Sequence, residues 1–290
     1  MASNQVAMKS SKTRDSIIFK TVIYVVCIIL ALLSIWPFLN MLINSTRSTA
    51  EITSSSISLI PSKYMADNIK KLNKQNMFKP LVGLKNSFII STCVTILTVY
   101  FSCLTAYAIF AYQWKLKKAF FGLVIGVMML PGTVTMIGFY RACYQFHLTN
   151  NKLLLILPSI AAPMTVFFMK QYLEGSVSLE IVESARIDGS GEFHTFNSIV
   201  LPIMKPAMAT QAIFAFVGSW NNYFLPMILF NKAKNYTMPI MVSLLRMDQY
   251  KTEYGCVYIG LSMTALPLII IYLFLSKYIV SGVALGSVKG

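Results

Sequence analysis

The stretch from Glu174 to Pro202 holds five of the ten acidic residues of the chain, namely Glu174, Glu180, Glu183, Asp188 and Glu192. Clustered carboxylates bind a metal, run acid–base chemistry, or present charge to a partner. The first two uses need company: ligands at metal spacing, or a second titratable group poised to exchange a proton. The histidines, His147 and His194, both fall in loops, and no C-x-x-C accompanies them. His194 reads as a helix-surface residue and not as a base. No G-x-x-x-x-G-K-[ST] phosphate loop occurs anywhere in the sequence. Presentation of charge to a partner is the reading that remains.

The elements that must position these carboxylates follow from spacing. Val177, Ile181 and Ala185 recur at i, i+4 on one face, while Glu180 and Glu183 share another at i, i+3. A short amphipathic helix is therefore expected from about Ser178. Asp188-Gly189 supplies a break, because glycine closes a helix in the left-handed region without steric penalty. Phe193, Phe196 and Ile199 or Val200 resume helical spacing, and Pro202 marks the next boundary. The expected product is helix, turn, helix, with Glu183 projecting into water. Anionic headgroups repel such a surface, so docking to a protein explains it better than floating at the lipid interface.

The rest of the chain is a membrane protein. Of 290 residues, 56% are hydrophobic and 12% charged, with a mean hydropathy of +0.63, which excludes a water-soluble globule. Six windows contain no Asp, Glu, Lys or Arg: 21–46, 86–114, 119–140, 153–169, 206–231 and 254–276. At about 1.5 Å rise per residue, about 20 residues cross the hydrocarbon. We therefore expect an all-α integral membrane protein with spans near 17–43, 86–112, 119–140, 153–173, 207–230 and 255–277. Around them lie an N-terminal tail (1–16), an external loop (47–85), the acidic loop (174–205) and a C-terminal tail (281–290). Gly122-x-x-x-Gly126 in the third window suits close helix packing, and Pro131-Gly132 predicts a kink.

A net charge of +15 invites a nucleic-acid reading, but the basic residues are scattered over span ends and loops. Membrane flanks account for them. They do not orient the chain: with both termini inside, 12 of the 25 Lys and Arg lie inside and 13 outside. Cys27, Cys93, Cys103, Cys143 and Cys256, odd in number and mostly within windows, argue against a disulfide framework or zinc site. An ion-coupled transporter should carry ionisable residues inside its spans, and a membrane enzyme an acid, base or metal set; neither pattern is present.

The acidic loop resembles the signature of the transmembrane subunits of bacterial ATP-binding-cassette importers: Glu-Ala-Ala, three residues, Gly, nine residues, Ile, one residue, Leu-Pro. This chain has Glu183-Ser184-Ala185, Gly189, Ile199 and Leu201-Pro202 at those spacings, departing only at Ser184. The flanks Ala185-Arg186-Ile187-Asp188-Gly189, Leu201 to Ala207, Trp220-Asn221 with Pro226, and the end Gly286-Ser287-Val288-Lys289-Gly290 are similar to carbohydrate-uptake permeases of the maltose type. The family commonly places proline where Ser178 stands, which should slightly loosen the helix start.

The resemblance implies the type I importer fold with six spans and a cytoplasmic helix-turn-helix coupling loop over 178–200. It implies that the loop seats in a cytoplasmic ATPase dimer that binds ATP and Mg, with no cofactor or metal in this chain. Glu183 would face a basic residue there, and Gly189 would make the turn. Both termini are then cytoplasmic, and 47–85, 141–152 and 232–253 face the exterior, where a solute-binding protein docks. A second permease subunit, a carbohydrate substrate and membrane lipid complete the implied partners. An importer for amino acids or peptides remains the alternative. For the translocation path, Trp220-Asn221-Asn222-Tyr223 offers a ring face and amides to sugar hydroxyls, against the plainer reading of interhelix hydrogen bonding. Asn86-Ser87 and Arg141 to Tyr144 are lesser candidates at span ends.

Overall fold

Proline opens several helices, at Pro80 and Pro163 among others, and serine caps two more at Ser48 and Ser178, while Pro37 and Pro267 lie inside long helices. The computed structural model describes residues 2–75, 78–246 and 252–286, with side chains over 19–75, 78–246 and 252–273. All regular elements among the described residues are helical. Residues 287–290, and with them the tail positions Val288, Lys289 and Gly290, lie outside the described residues.

Two compact units are present. The first combines residues 2–74 with 252–262. It contains α1 (Ala2–Ser45), whose apolar stretch Phe19–Ser45 is long enough to cross a membrane, α2 (Thr49–Ser54) and α3 (Met65–Asn73). The helix therefore already covers the expected N-terminal tail. A polar knot follows it. Arg47, 7% exposed, donates to Asn44 Oδ1 and to the carbonyls of Ser55 and Glu51. Ser48 and Glu51 form a reciprocal capping box that starts α2. Asn68 donates to the carbonyls of Ser45 and Arg47, and Glu253 accepts from Lys71 at 2.9 Å and Thr49 at 2.8 Å. Lys71 holds the Glu253 carboxyl below its ordinary range. The expected external loop is thus an ordered cap up to residue 74.

The second unit is built on α4 (Pro80–Ala111), which starts on Pro80 at its first turn, ahead of the expected position 86. Then come α5 (Lys117–Met128) and α6 (Gly132–Gln145), α7 (Leu153–Ile156) with a 3-10 turn (Leu157–Ile160), and α8 (Pro163–Ser176). The acidic loop carries α9 (Leu179–Ile187), α10 (Glu192–His194), a π-helical turn (Thr195–Val200) and α11 (Leu201–Ile203). It leads to α12 (Lys205–Trp220), α13 (Phe224–Leu229), a 3-10 turn (Ala233–Asn235) and α14 (Met238–Leu244). The last helix, α15 (Tyr254–Gly286), starts in the first unit and ends in the second. Within the second unit α4 packs chiefly on α12 and α8.

Four stretches qualify as spans by length and composition, Phe19–Ser45, Pro80–Ala111, Leu153–Ser176 and Tyr254–Leu273, and up to six if each of two bent pairs is one span. The third window bends by 95° between α5 and α6, where Pro131 lacks the N–H that would continue the ladder. The fifth window is not one helix either: α12 stops at Trp220, and the chain re-forms a helix only at Phe224. A Cβ placed on Gly122 or Gly126 meets nothing within 4 Å, so no helix approaches closely at that motif among the described residues.

Gly255 is the tightest glycine: a Cβ there would lie 2.3 Å from Asn68 Nδ2 and 2.7 Å from the Arg47 carbonyl oxygen. The backbone oxygen cannot swing aside as a side chain does. Gly255→Ala should cost about 1–3 kcal/mol, the range for overpacking a well-filled site. Gly138→Ala, with open space around it, serves as control. Equal thermal midpoints for the two variants in detergent would refute the close packing of α3 on the start of α15.

Candidate functional site: the acidic loop and the inner clefts

Ser178 begins the loop as the N-cap of α9, its Oγ accepting from the Glu180 N–H at 3.3 Å. The expected loosening is thereby offset, since serine satisfies a donor that proline would leave open. Val177 lies before the helix in extended backbone, so the i, i+4 count from it does not describe a helical face. The buried set is Val177, Val182 and Ala185, whereas Ile181 is 40% exposed. This corrects the sequence-derived face by one position.

At its other end α9 closes on Gly189, whose φ is +79°. The Gly189 N–H donates to the Arg186 carbonyl at 3.0 Å and the Ser190 N–H to the Ala185 carbonyl at 2.9 Å. This paired arrangement is the Schellman closure, and it explains why glycine stands there. Beyond the turn Phe196 and Val200 are buried as expected from spacing, but Phe193 is 71% exposed. Leu201 donates its N–H to Phe196, five residues back, where Pro202 would crowd a regular ladder. The chain then bends by 81° at Met204 into α12.

One apolar core seats the loop. Val182, Phe196, Val200 and Met204 pack with Cys103, Ala106 and Tyr107 of α4 and with Met169 and Leu173 of α8. Full burial of such side chains contributes about 1.5–3 kcal/mol each. Opposite this core, Glu183, Ser184, Asp188 and Gly189 are exposed, as is Ile187 at 85%. Of the matched Glu183-Ser184-Ala185, only Ala185 faces inward. Ile199 and Leu201 are half-buried and Pro202 is exposed. The outward face therefore combines carboxylates with two large apolar side chains, Ile187 and Phe193, flanking the turn. Sequence spacing did not single out Ile187, and it counted Phe193 with the apolar period of Phe196, which the structure does not follow.

A polar group that the sequence also left unmarked lies at the base of the turn. Arg186 Nε donates to Glu192 Oε1 at 2.7 Å, and Glu192 Oε2 accepts from Tyr107 at 3.1 Å and Tyr112 at 2.6 Å. Arg186 holds the Glu192 carboxyl below its ordinary range, with Tyr112 adding to the effect. The Arg186–Glu192 pair is partly exposed and by itself is worth about 0–1 kcal/mol. The apolar seat therefore supplies most of the attachment, and the polar group fixes its geometry. His194 sits on the surface near Ser198. Among the described residues no group of three His, Cys, Asp or Glu could hold a metal.

The second candidate cluster is divided. Trp220 is 2% exposed, stacks on Phe216 and donates its Nε1–H to the Thr264 carbonyl at 3.1 Å. Its ring is buried among α12 and α15. Asn221 is exposed, and Tyr223 packs into the core around Leu229 and Phe230. Asn222 lines two clefts: one of about 260 Å³ with Ser87, Ser219 and Thr237, the other of about 640 Å³ with Thr135, Met164 and Leu225. Thr237 Oγ1 is buried without a hydrogen-bond partner among the described residues. Asn86 is structural: it donates to the carbonyls of Lys234 and Tyr236 at 2.9 Å and accepts from Lys152. Ser87 Oγ accepts from the Met238 N–H. Arg141 and Tyr144 are exposed on α6.

Two outcomes test the loop. Gly189→Val should lower the thermal midpoint, since a left-handed residue with a Cβ costs about 1–2 kcal/mol, while Gly189→Asn, which tolerates that region, should lower it less. Acid should loosen the turn. A carboxyl whose folded pKa is depressed stabilises above its unfolded value, and that contribution disappears as pH falls through the folded one. The acid limb of the midpoint, below about pH 4, should therefore be shallower in Glu192→Ala than in the unmodified chain. Parallel curves would disprove the Glu192 contribution.

Comparison with known proteins agrees with this architecture. The family of binding-protein-dependent transport system inner membrane components matches residues 83–284. The arabinooligosaccharides transport system permease protein of Halalkalibacterium halodurans is 33% identical over 264 residues, 90% of this chain and 93% of that protein. The lactose transport system permease protein of Rhizobium radiobacter is 31% identical, covering 92% and 95%. In fold, the chain is similar to the crystal structure of a bacterial ABC transporter involved in the import of the acidic polysaccharide alginate. The TM-score is 0.76 at 21% identity, over 90% of this chain and 96% of that one. With a seated acidic loop, a run of apolar helices and these matches over most of its length, the chain belongs to the binding-protein-dependent transport system inner membrane components, the membrane-embedded permeases of ABC importers.

Proposed function

We propose that this chain is a permease subunit of an ATP-driven importer of sugars or oligosaccharides. It forms part of the pathway and is driven by a separate ATPase dimer. The observation that carries the reading is the outward face of residues 183–193. Glu183, Ile187 and Phe193 stand in the open around a closed turn, on a seat of buried apolar side chains. Such a face is built to be held by another protein, because leaving two large apolar residues beside charges in water has no benefit to the chain alone. Relatives named for arabinooligosaccharide and lactose transport support the sugar class.

On this reading the six spans place both termini and the 174–205 loop in the cytoplasm, and 47–85, 141–152 and 232–253 outside, against a solute-binding protein. The ATPase supplies ATP and Mg²⁺ chemistry, and this chain transmits its closure. A second permease subunit shares the pathway. When the ATPase dimer closes, the seated loop moves as a unit and the spans switch from one access state to the other. Asn222, common to two clefts, with Ser219 and the Thr237 hydroxyl, which has no partner among the described residues, provides the amide and hydroxyl groups that a passing sugar would meet.

Purification of the tagged chain from its host membrane should bring down an ABC ATPase and a second permease. Their absence would end the proposal. In the intact transporter, Glu183→Lys should reduce uptake about tenfold or more while the chain remains in the membrane, in line with loss of a buried charge contact at an interface. Asn222→Ala should raise the solute concentration for half-maximal uptake by about 5- to 10-fold, the loss of one hydrogen bond to a neutral partner. An unchanged half-saturation value would remove Asn222 from the pathway.

A further inference from the structure

Two physical routes lead from the exposed loop to the spans. The covalent one runs through α11 into α12, but it turns by 81° at Met204, between Pro202 and Pro206. Neither proline has a backbone N–H to give, so this joint lacks rungs that stiffen a helix. The second route is non-covalent: the apolar seat of the loop on α4, with one carboxylate giving it direction.

Glu192 Oε2 accepts from Tyr107, in the last turns of α4, and from Tyr112, the residue that caps it. Its other oxygen accepts from Arg186, on the far side of the Gly189 turn. Arg186 Nη2 also reaches the Ala111 carbonyl at 3.4 Å, and its guanidinium lies 5.2 Å over the Tyr112 ring. Both limbs of the loop are thus tied to one helix end. Tyr107 is 2% exposed, so its hydroxyl is held by Glu192 at the edge of the apolar core. The same helix carries Ser87, Ile90 and Val94 into the smaller cleft beside Asn222.

We infer that Glu192, gripped by Tyr107 and Tyr112, is a positioning latch that passes displacement of the loop directly to α4, and so to the cleft wall. The inference rests on the proposed coupling role of the loop. A continuous helix of 32 residues carries a displacement of one end along its axis, whereas the bent entry to α12 absorbs it. Arg186–Glu192 alone would only brace the turn. The two phenols add a directional connection to α4 that the apolar seat does not specify.

The test separates these parts. Tyr107→Phe with Tyr112→Phe removes both phenol hydrogen bonds and leaves the Arg186–Glu192 pair inside the loop. In the transporter purified from its host with its subunits and reconstituted with the solute found by a binding screen, the double variant should retain the ATPase and its hydrolysis. Solute imported per ATP should fall about fivefold or more, the low end of a coupling free energy between sites. Glu192→Ala should do the same. Glu192→Gln, which keeps an acceptor for the phenols, should stay within about twofold of the unmodified ratio. In a double-mutant cycle the Tyr and Glu192→Ala losses should fail to add, because they break one contact.

A ratio unchanged in the double variant, or lowered assembly with a normal ratio per assembled complex, overturns the latch. If the double variant does not assemble, the single Tyr112→Phe is scored by the same ratio against the same limits. Failure of the unmodified chain to bring down an ATPase is a different result and counts against the proposed function itself.

Discussion

Hydrocarbon offers no hydrogen-bond partner, so every backbone group inside it must be satisfied by the protein. The architecture follows from that constraint. It explains the all-helical character of the described elements and the places where helices break. The break at Asn221–Tyr223 is tightened by Asn221 and Asn222 N–H groups donating to the Val217 and Ser219 carbonyls. Around α13 and the following turn, Asn150 does the corresponding work: its Oδ1 accepts from the Asn231 and Lys232 N–H groups, and its carbonyl from Asn235. Asn86 in turn holds the carbonyls of Lys234 and Tyr236. Irregular backbone persists in the second unit because amide side chains stand in for missing helical rungs.

The acidic loop obeys a different balance. It is held by burial of Val182, Phe196 and Val200 against α4 and α8, a term several times larger than any one of its polar contacts. The polar contacts contribute direction. A carboxylate shared by a guanidinium and two phenols fixes where the turn sits along α4, which a smooth apolar surface would not specify. The loop therefore has strength from one source and registration from another, and its free face remains available to a partner.

Much of this was legible in the residues. The Glu183, Gly189 and Leu201-Pro202 spacing identified the loop, the glycine turn, and the family to which the chain belongs. The buried face was misread at Ile181 because the helical count was started at Val177, which lies before the cap. Phe193 shares helical spacing with Phe196 but lies in α10, before the π-helical turn that carries Phe196 and Val200 into the core, and it stays exposed. An indole in an apolar window suits a sugar and an interhelix hydrogen bond alike; the burial of Trp220 and its bond to Thr264 become visible only when α15 is in place.

The sequence by itself determined composition-level and local facts: membrane residence, helix starts at proline and serine, and the left-handed turn at Gly189. Each depends on residues close together in the chain, where steric and hydrogen-bond rules act without reference to the rest. Tertiary structure decided what lies far apart. Tyr107 meets Glu192 across 85 positions, and Asn222 joins two clefts whose walls come from α4, α5, α6 and α12. Such contacts exist only after packing has brought separate helices together, and no local periodicity encodes them.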